Sequence, residues 1–277
     1  MLKTIIYLNA DLASSIALRY ACQLAKITGM EINTFHVEPP NAKRYPPGSG
    51  WVRRTWENGL LEQAREKIML LMTAERDICP DLKKPAVRIG EPENELLREL
   101  RMVDYDLFVI GLLHSFSARQ FYRRMHSKFY KKAGCPILLV KNLLTVKRVG
   151  ILIQPEDNAL PQAETFLKFF TDAPVEVDIL TCIFHRKAAL REKGVMESRA
   201  AGLPGEKDGA GAAIVNKLEQ ANFSPNIVVL KGDAVSIGDR LSTYPLVLTS
   251  LPPDTGPSSP ILECLSRISS AILFCRQ

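Results

Sequence analysis

The sequence of 277 residues has no apolar run that approaches the ~18 residues needed to span a membrane. Its start has no basic segment followed by an apolar stretch and a cleavage site, so we expect a cytoplasmic protein. Its six cysteines are scattered without any C-x-x-C pair, which predicts buried thiols and disfavours disulfides or a zinc site. These absences favour a globular protein that works away from the membrane.

Short catalytic motifs are also missing. The sequence contains no H-x-G-H, S-G-G-x-D-S, G-x-x-x-x-G-K-S/T or G-x-S-x-G segment. The chain order of its Ser, His and Asp residues suggests no catalytic triad. We therefore predict that the protein is not an enzyme. Slow ATP hydrolysis stays open as an alternative, although no residue is evident that would orient a water molecule.

Short apolar runs alternate with segments of helical period through the first half of the chain. Both Asp106–Ile110 and Pro136–Val140 are almost wholly apolar, which is typical of parallel strands buried on both faces. Strand and helix signals in alternation predict an α/β fold, a parallel sheet with helices on both faces. The predicted strands are Leu2–Leu8, Met30–Val37, Pro85–Ile89, Asp106–Ile110 and Pro136–Val140, and the predicted helices are Ser14–Ile27, Trp51–Asp77, Glu93–Met102 and Arg119–Lys132.

The same pattern restarts after Lys141. VEVDILTC, which begins at Val175, repeats MEINTFHV, which begins at Met30, and YPLVLTS (244–250) repeats YDLFVIG (105–111). A repeat of one domain length predicts two tandem five-stranded copies, at residues 1–142 and 146–277, joined by a short linker. A Gly-rich segment, 186–213, is expected to be mobile in the second copy.

Four features of the first copy carry a family resemblance: the opening strand, the HV that ends strand two, the G-E-P after strand three, and DLFVIG followed by a helix and CPILLVK. On these residues the sequence resembles the universal stress protein family in its tandem two-domain form, closely over the first copy and more loosely over a degenerate second copy. The resemblance implies a Rossmann-type sheet, similar to that of adenine nucleotide alpha hydrolases. It also implies an intramolecular pseudo-dimer, and leaves further homodimerisation open.

Nucleotide-binding members of that family carry a G-x2-G-x9-G-S/T pattern after strand four, in which backbone N–H groups and a hydroxyl hold phosphate. Here Gly111 fills the first position, but His114 stands at the second, and Arg124 and Met125 replace the final Gly-Ser/Thr. The pattern is degenerate in this copy, and the cofactor is unknown, with ATP left open. The candidate ligand-binding residues that the resemblance implies are Asn9, Asp11, Val37, Gly90, Gly111, His114, Arg124 and Met125.

The segment Arg119–Lys132 holds six Lys or Arg residues and no acid. One interpretation is an anion site in which side-chain charge replaces the lost glycines, and the other is a solvated helix face opposite a core stripe. The stripe would be Phe121, Met125 and Phe129. Nucleic acid is disfavoured as a partner because the aromatic residues follow core spacing. His36 near the predicted site is more typical of a packed histidine than of a ligand.

Together these patterns predict a stress-response binding or regulatory protein with a degenerate nucleotide site. It would act through unknown protein partners or a small anionic or nucleotide ligand. The alternative is an ATP-binding protein that uses its first copy. In that case Val37 would contact the base through its backbone, Gly111 would approach the phosphates, and Arg124 would replace the missing cradle.

Overall fold

The computed structural model describes residues 1–40, 49–80, 82–113, 117–154, 159–184, 210–250, 256 and 258–275. The chain forms two compact units: the first is Met1–His114, Arg124–Thr145 and Ala271–Leu273, and the second is Ser115–Arg123, Val146–Ser270 and Phe274–Gln277. Among the helices within the described residues, none has both the length and the apolar character required to cross a membrane.

Strands and helices alternate through the first half of the chain, as the sequence predicts. The elements are β1 (Lys3–Tyr7), α1 (Leu12–Thr28), β2 (Glu31–Glu38), α2 (Trp51–Ala74), β3 (Ala86–Ile89), α3 (Pro92–Met102), β4 (Leu107–Gly111), α4 (Ala118–Met125), α5 (Lys128–Lys132) and β5 (Ile137–Val140).

The strands of the first unit lie in the order β3-β2-β1-β4-β5, and every neighbouring pair is parallel. The chain builds outward from β1 through β2 to β3, then returns to place β4 on the other side of β1. Because parallel crossovers are right-handed, this reversal puts helices on both faces of the sheet. The predicted α/β fold is confirmed, and the reversal between β1 and β4 creates a crevice at their carboxyl ends.

The second unit repeats this arrangement. The elements of the second half of the chain are β6 (Arg148–Ile153), α6 (Leu160–Phe170), β7 (Glu176–Phe184), α7 (Ala210–Gln220), β8 (Asn226–Gly232), α8 (Ala234–Leu241), β9 (Leu246–Ser250), α9 (Pro260–Arg267) and β10 (Ala271–Cys275), and the first three residues of β10 belong to the first unit. Strands β9, β6, β7 and β8 are neighbours in that order and are parallel. Most of the Gly-rich segment expected to be mobile lies outside the described residues, and its end already belongs to α7.

Local sequence signals explain where several elements begin and end. Every residue of β5 and of β9 is buried, as expected for apolar strands covered on both faces. Helix α1 ends at Gly29, whose φ of 65° is a left-handed conformation that glycine adopts without strain. Helix α3 begins after Glu91, whose carboxylate accepts the N–H of Asn94 at 2.8 Å, with Pro92 in the first turn.

The basic helix predicted over Arg119–Lys132 is wrong as a single element, because it divides into α4 and α5. Ser127 lies between them in an extended conformation, with φ −65° and ψ 161°, and precedes the first residue of α5. Serine favours such positions over helix interiors. The predicted apolar stripe is nonetheless core, because Phe121, Met125 and Phe129 are all buried.

Candidate functional site

The crevice at the carboxyl ends of β1 and β4 is the candidate site. These strands are parallel neighbours, with Tyr7 opposite Ile110, and the chain leaves them toward opposite sides of the sheet. Ligands of open α/β sheets bind at such a point. Asn9 and Asp11 follow β1, and Gly111 ends β4, so the structure brings these three predicted residues to one edge.

Gly111 lies directly against the first turn of α1. A Cβ atom built on it would be 2.0 Å from the carbonyl oxygen of Ala13 and 2.4 Å from the carbonyl carbon. No side chain fits, because the neighbour is backbone and cannot rotate away. Glycine is therefore required here by the packing of α1 on β4, independently of any phosphate.

The N-terminus of α1 is closed by its own side chains. The carboxylate of Asp11 accepts the backbone N–H of Ser14 at 2.8 Å, and the backbone N–H of Asn9 donates to the Ser14 hydroxyl at 2.7 Å. The positive end of the helix therefore already carries a carboxylate. Asp11 acts as a helix cap, which weakens the case for an incoming anion at this end.

The pKa of the Tyr7 hydroxyl depends on the charges that lie near this edge of the sheet. Its pKa is raised, first by burial and then by the negative charge of Asp11, with Glu91 and Glu38 acting in the same direction. A hydrogen bond from Asn9 opposes them. Three carboxylates thus act on one point, and a phosphate there would meet repulsion. Within the part of the chain that the structure describes, no cluster of three His, Cys, Asp or Glu residues is arranged to hold a metal ion.

His36, at the end of β2, is a packed histidine. Its ring is buried, Nδ1 donates to the carbonyl oxygen of Leu8 at 2.7 Å, and Nε2 lies 3.3 Å from a carboxylate oxygen of Glu38. The side chain of Val37 is in the core. Gly90 lies beside them, where its N–H donates to the carbonyl oxygen of Glu38 at 3.1 Å. These bonds join β1, β2 and the end of β3 at the crevice.

The residues that replace the end of the phosphate pattern have structural contacts of their own. Met125 is 1% exposed and belongs to the core. Arg124 donates from Nε to the hydroxyl of Tyr130 at 3.2 Å, and Tyr130 is buried. Burial raises the pKa of Tyr130, and the charge of Arg124 partly offsets the rise. His114 lies outside the described residues.

The start of α4 is also self-capped. The hydroxyl of Ser117 accepts the N–H of Gln120 at 3.3 Å, and the side-chain oxygen of Gln120 accepts the N–H of Ser117 at 3.1 Å. This reciprocal pair occupies donors that a phosphate cradle would otherwise use.

The second unit has a different arrangement at the corresponding strand ends. Gln162, fully buried at the start of α6, donates to the carbonyl oxygen of Leu152 at 3.3 Å and to the hydroxyl of Ser250 at 3.2 Å. These bonds join the ends of β6 and β9 through a side chain. The adjoining segments 155–158 and 251–255 lie outside the described residues.

Sequence reasoning missed an open hollow of about 220 Å³ on the first unit. Its lining comes from α3 and the first residue of α5: Asn94, Leu97, Arg98, Arg101, Met102 and Lys128. The five α3 residues follow the spacing i, i+3, i+4, i+7, i+8 of one helix face. That signal was present in the sequence, but the contribution from α5 was not, since it depends on how the two helices pack. We call this surface the cationic groove.

A disulfide is the second missed feature. Cys22 and Cys79 are bonded, with Cα atoms 5.6 Å apart and a separation of 57 positions in sequence. The prediction of unpaired thiols is wrong for these two, because their pairing depends on tertiary packing and leaves no local spacing signal. The other four cysteines, Cys135, Cys182, Cys264 and Cys275, form no disulfide.

Comparison of the sequence with protein-family models and with curated protein sequences gave no match. Comparison of the structure did. A universal stress protein from Archaeoglobus fulgidus DSM 4304 aligns over 99% of this chain and 98% of its own, with a TM-score of 0.62 and 12% sequence identity. The chain has the universal stress protein fold. A protein of unknown function from Pseudomonas aeruginosa PAO1 aligns over 99% of this chain and 92% of its own, with a TM-score of 0.56 and 12% identity.

The resemblance predicted from the sequence is therefore confirmed as a likeness of fold. A fold by itself does not fix a function, because function depends on the residues at the site. In this universal stress protein fold, the edge that would receive a phosphate carries three carboxylates and a capped helix.

Proposed function

We propose that this protein is a stress-response binding or regulatory protein with two tandem domains, at 1–142 and 146–277, and no catalytic role. It would act in the cytoplasm, through ligand or protein contacts. The burial of Met125 carries the proposal. This residue stands where nucleotide-binding relatives are expected to present a hydroxyl to phosphate, and here it packs in the core.

The charge of the crevice supports the same conclusion. Burial raises the pKa of Tyr7, and the charges of Asp11, Glu91 and Glu38 raise it further, so carboxylates act on this edge of the crevice. Arg124 is engaged with Tyr130, which reduces its value as a replacement cradle. A nucleotide would need to overcome this repulsion without the glycine-rich backbone that normally holds phosphate.

Retained nucleotide provides the decisive measurement. The purified protein is denatured, the supernatant is analysed for adenine nucleotides, and ATP is then titrated by calorimetry with and without Mg²⁺. The proposal predicts no released nucleotide and no heat of binding at millimolar ATP. Stoichiometric release, or saturable binding, would support the alternative in which the first unit holds ATP.

If ATP binds, the Arg124→Glu variant tests whether Arg124 contacts the phosphates. The alternative predicts that this charge reversal abolishes binding. Arg123→Glu on the same helix makes the same charge change at an exposed position and provides the matched control. Equal affinities of the two variants would show that Arg124 does not hold the phosphates.

The cationic groove supports a role in protein contacts. Arg98, Arg101 and Lys128 surround the half-open hollow, and Met102 is 65% exposed beside them. Lys128 donates to the side-chain oxygen of Asn94 at 3.2 Å, which leaves its charge unbalanced by that contact. Arginine and methionine beside an apolar floor are typical of protein interfaces, and the charge favours an acidic partner.

A further inference from the structure

One face of α1 holds the segment that follows α2. Ser15, Arg19 and Cys22 are spaced i, i+4, i+7, which places them on the same side of the helix. The hydroxyl of Ser15 donates to a carboxylate oxygen of Glu75 at 2.7 Å, and Arg19 donates to both oxygens, from Nε at 2.7 Å and from Nη2 at 3.1 Å. Cys22 is bonded to Cys79.

The segment that contacts α1 comprises residues 75–80, and Glu75 makes most of its polar contacts. The N–H groups of Ile78 and Cys79 both donate to the carbonyl oxygen of Glu75 at 3.0 Å, so a single turn presents the carboxylate and the sulfur to α1. The side chain of Glu75 is 2% exposed, and its charge is balanced by Arg19. The segment is thus fixed by two chemically independent links, one ionic and one covalent.

Apolar packing contributes little at this end of α2. Of the 24 residues in α2, only Ala64, Ile68 and Met72 are buried. Among residues 75–80, Glu75 is the only one that is buried. Segments with few buried apolar contacts open locally at low cost, so the two links to α1 determine how firmly this end is held.

We propose that Cys22–Cys79 is a reversible thiol–disulfide site whose reaction partner is a dithiol reductant, and that its redox state controls the docking of the end of α2 on α1. Cys79 is partly exposed, whereas Cys22 is 1% exposed, so the reductant attacks the sulfur of Cys79. A mixed disulfide forms with Cys79 and Cys22 leaves as a thiolate. The second thiol of the reductant then displaces Cys79. Two electrons and two protons pass to the cysteines, and the reductant becomes a disulfide.

Reduction removes only the covalent link. The contacts from Ser15 and Arg19 to Glu75 do not depend on sulfur, so the reduced protein stays folded while the end of α2 opens more often. Because reduction would loosen only the end of α2, the disulfide acts as a local switch and is not a cross-link that the whole fold requires. The switch would let the redox state regulate a binding protein. Its thiol–disulfide chemistry does not involve the residues of the crevice at the carboxyl ends of β1 and β4.

Hydrogen exchange of the full chain, read by mass spectrometry in dithiothreitol buffers of graded potential, tests this directly. Alkylation of the same samples counts the thiols released at Cys22 and Cys79. On reduction we expect the exchange of residues 75–80 to accelerate by about tenfold or more, as for loss of a local restraint. The central amides of β4, such as that of Val109, should not change. Cys79→Ala should exchange like the reduced protein in every buffer. Cys264→Ala, which alters a buried thiol outside the disulfide, should match the wild type at each potential.

Three results would overturn the proposal. The disulfide could resist excess dithiothreitol, it could open without any change in exchange at 75–80, or its reduction could remove protection throughout β1 and β4. The wild-type chain supplies each of these readouts, so the test does not depend on either variant folding.

Discussion

The backbone of Ala13 fills the space where Gly111 would carry a side chain. A Cβ atom at Gly111 would lie 2.0 Å from the Ala13 carbonyl oxygen, in the first turn of α1. The glycine that would have been expected to face a phosphate therefore has a packing role that holds helix and strand together. This packing requires glycine at position 111 whether or not the crevice binds a phosphate.

Gly111→Ala should destabilise the protein by about 3 kcal/mol or more, because overpacking against backbone cannot be relieved by a rotamer change. Urea unfolding measures the loss. Gly59→Ala is the matched control: a Cβ there meets nothing within 4 Å, and it lies inside α2. The control should be neutral or stabilising by about 0.5–1 kcal/mol. Equal stability of the two variants would contradict the close approach of α1 to β4.

Met125→Ser should not restore nucleotide binding, although it supplies the missing hydroxyl. The side chain is 1% exposed, so the change removes core volume and buries a polar group, at a cost of about 2–5 kcal/mol. Unfolding and ATP calorimetry are measured on the same preparation. Arg123→Ser, at an exposed position of the same helix, should change stability by less than about 0.5 kcal/mol. A gain of ATP binding by Met125→Ser would show that position 125 faces the crevice.

Asp178 in β7 should make stability depend on acidic pH. It is fully buried, and its carboxylate accepts from Tyr244 at 2.7 Å, Arg148 at 2.6 Å and Asn226 at 3.2 Å. Burial alone would raise its pKa, but the three hydrogen bonds and the charge of Arg148 outweigh burial and lower the pKa. A carboxyl with a lowered pKa stabilises the fold above its unfolded value, about 3.9, and this contribution is lost as the pH falls through the folded value.

Asp178→Asn should therefore cost about 1–3 kcal/mol near pH 6, and its deficit relative to the wild type should shrink below about pH 4. Urea unfolding across this range measures both proteins. Asp172→Asn, at an exposed position, should follow the wild-type profile. A deficit for Asp178→Asn that is constant with pH would mean that the carboxylate charge contributes nothing at this site.

The cationic groove should bind acidic peptides in a salt-dependent way. A short fluorescent glutamate-rich peptide with one central leucine provides the probe, read by anisotropy. The double variant Arg98→Glu, Arg101→Glu should weaken binding at least about tenfold, because it reverses the charge around the hollow. The control is the double variant Arg54→Glu, Arg65→Glu. Both arginines are exposed on α2, so this variant makes the same change in net charge outside the groove. If both double variants lose affinity equally, the attraction is due to net charge and the groove has no special role.

The architecture and the repeat were both predictable from patterns along the chain. Apolar strands such as LFVI and ILLV alternate with helical periods, and parallel strands buried on both faces require such runs wherever they occur. Counting from Gly111 also located the replacements at Arg124 and Met125, since a phosphate pattern is defined by local spacing. Local capping chemistry explains why α3 begins after Glu91 and why α1 ends at Gly29.

The contacts that Arg124 and Met125 make were not predictable in this way, because they depend on three-dimensional packing. The burial of Met125, the contact of Gly111 with Ala13 and the pairing of Cys22 with Cys79 join segments that are far apart in sequence. The cationic groove likewise needs α3 and α5 together. Periodicity marks which face of an element is buried, but it does not say which distant segment that face will contact.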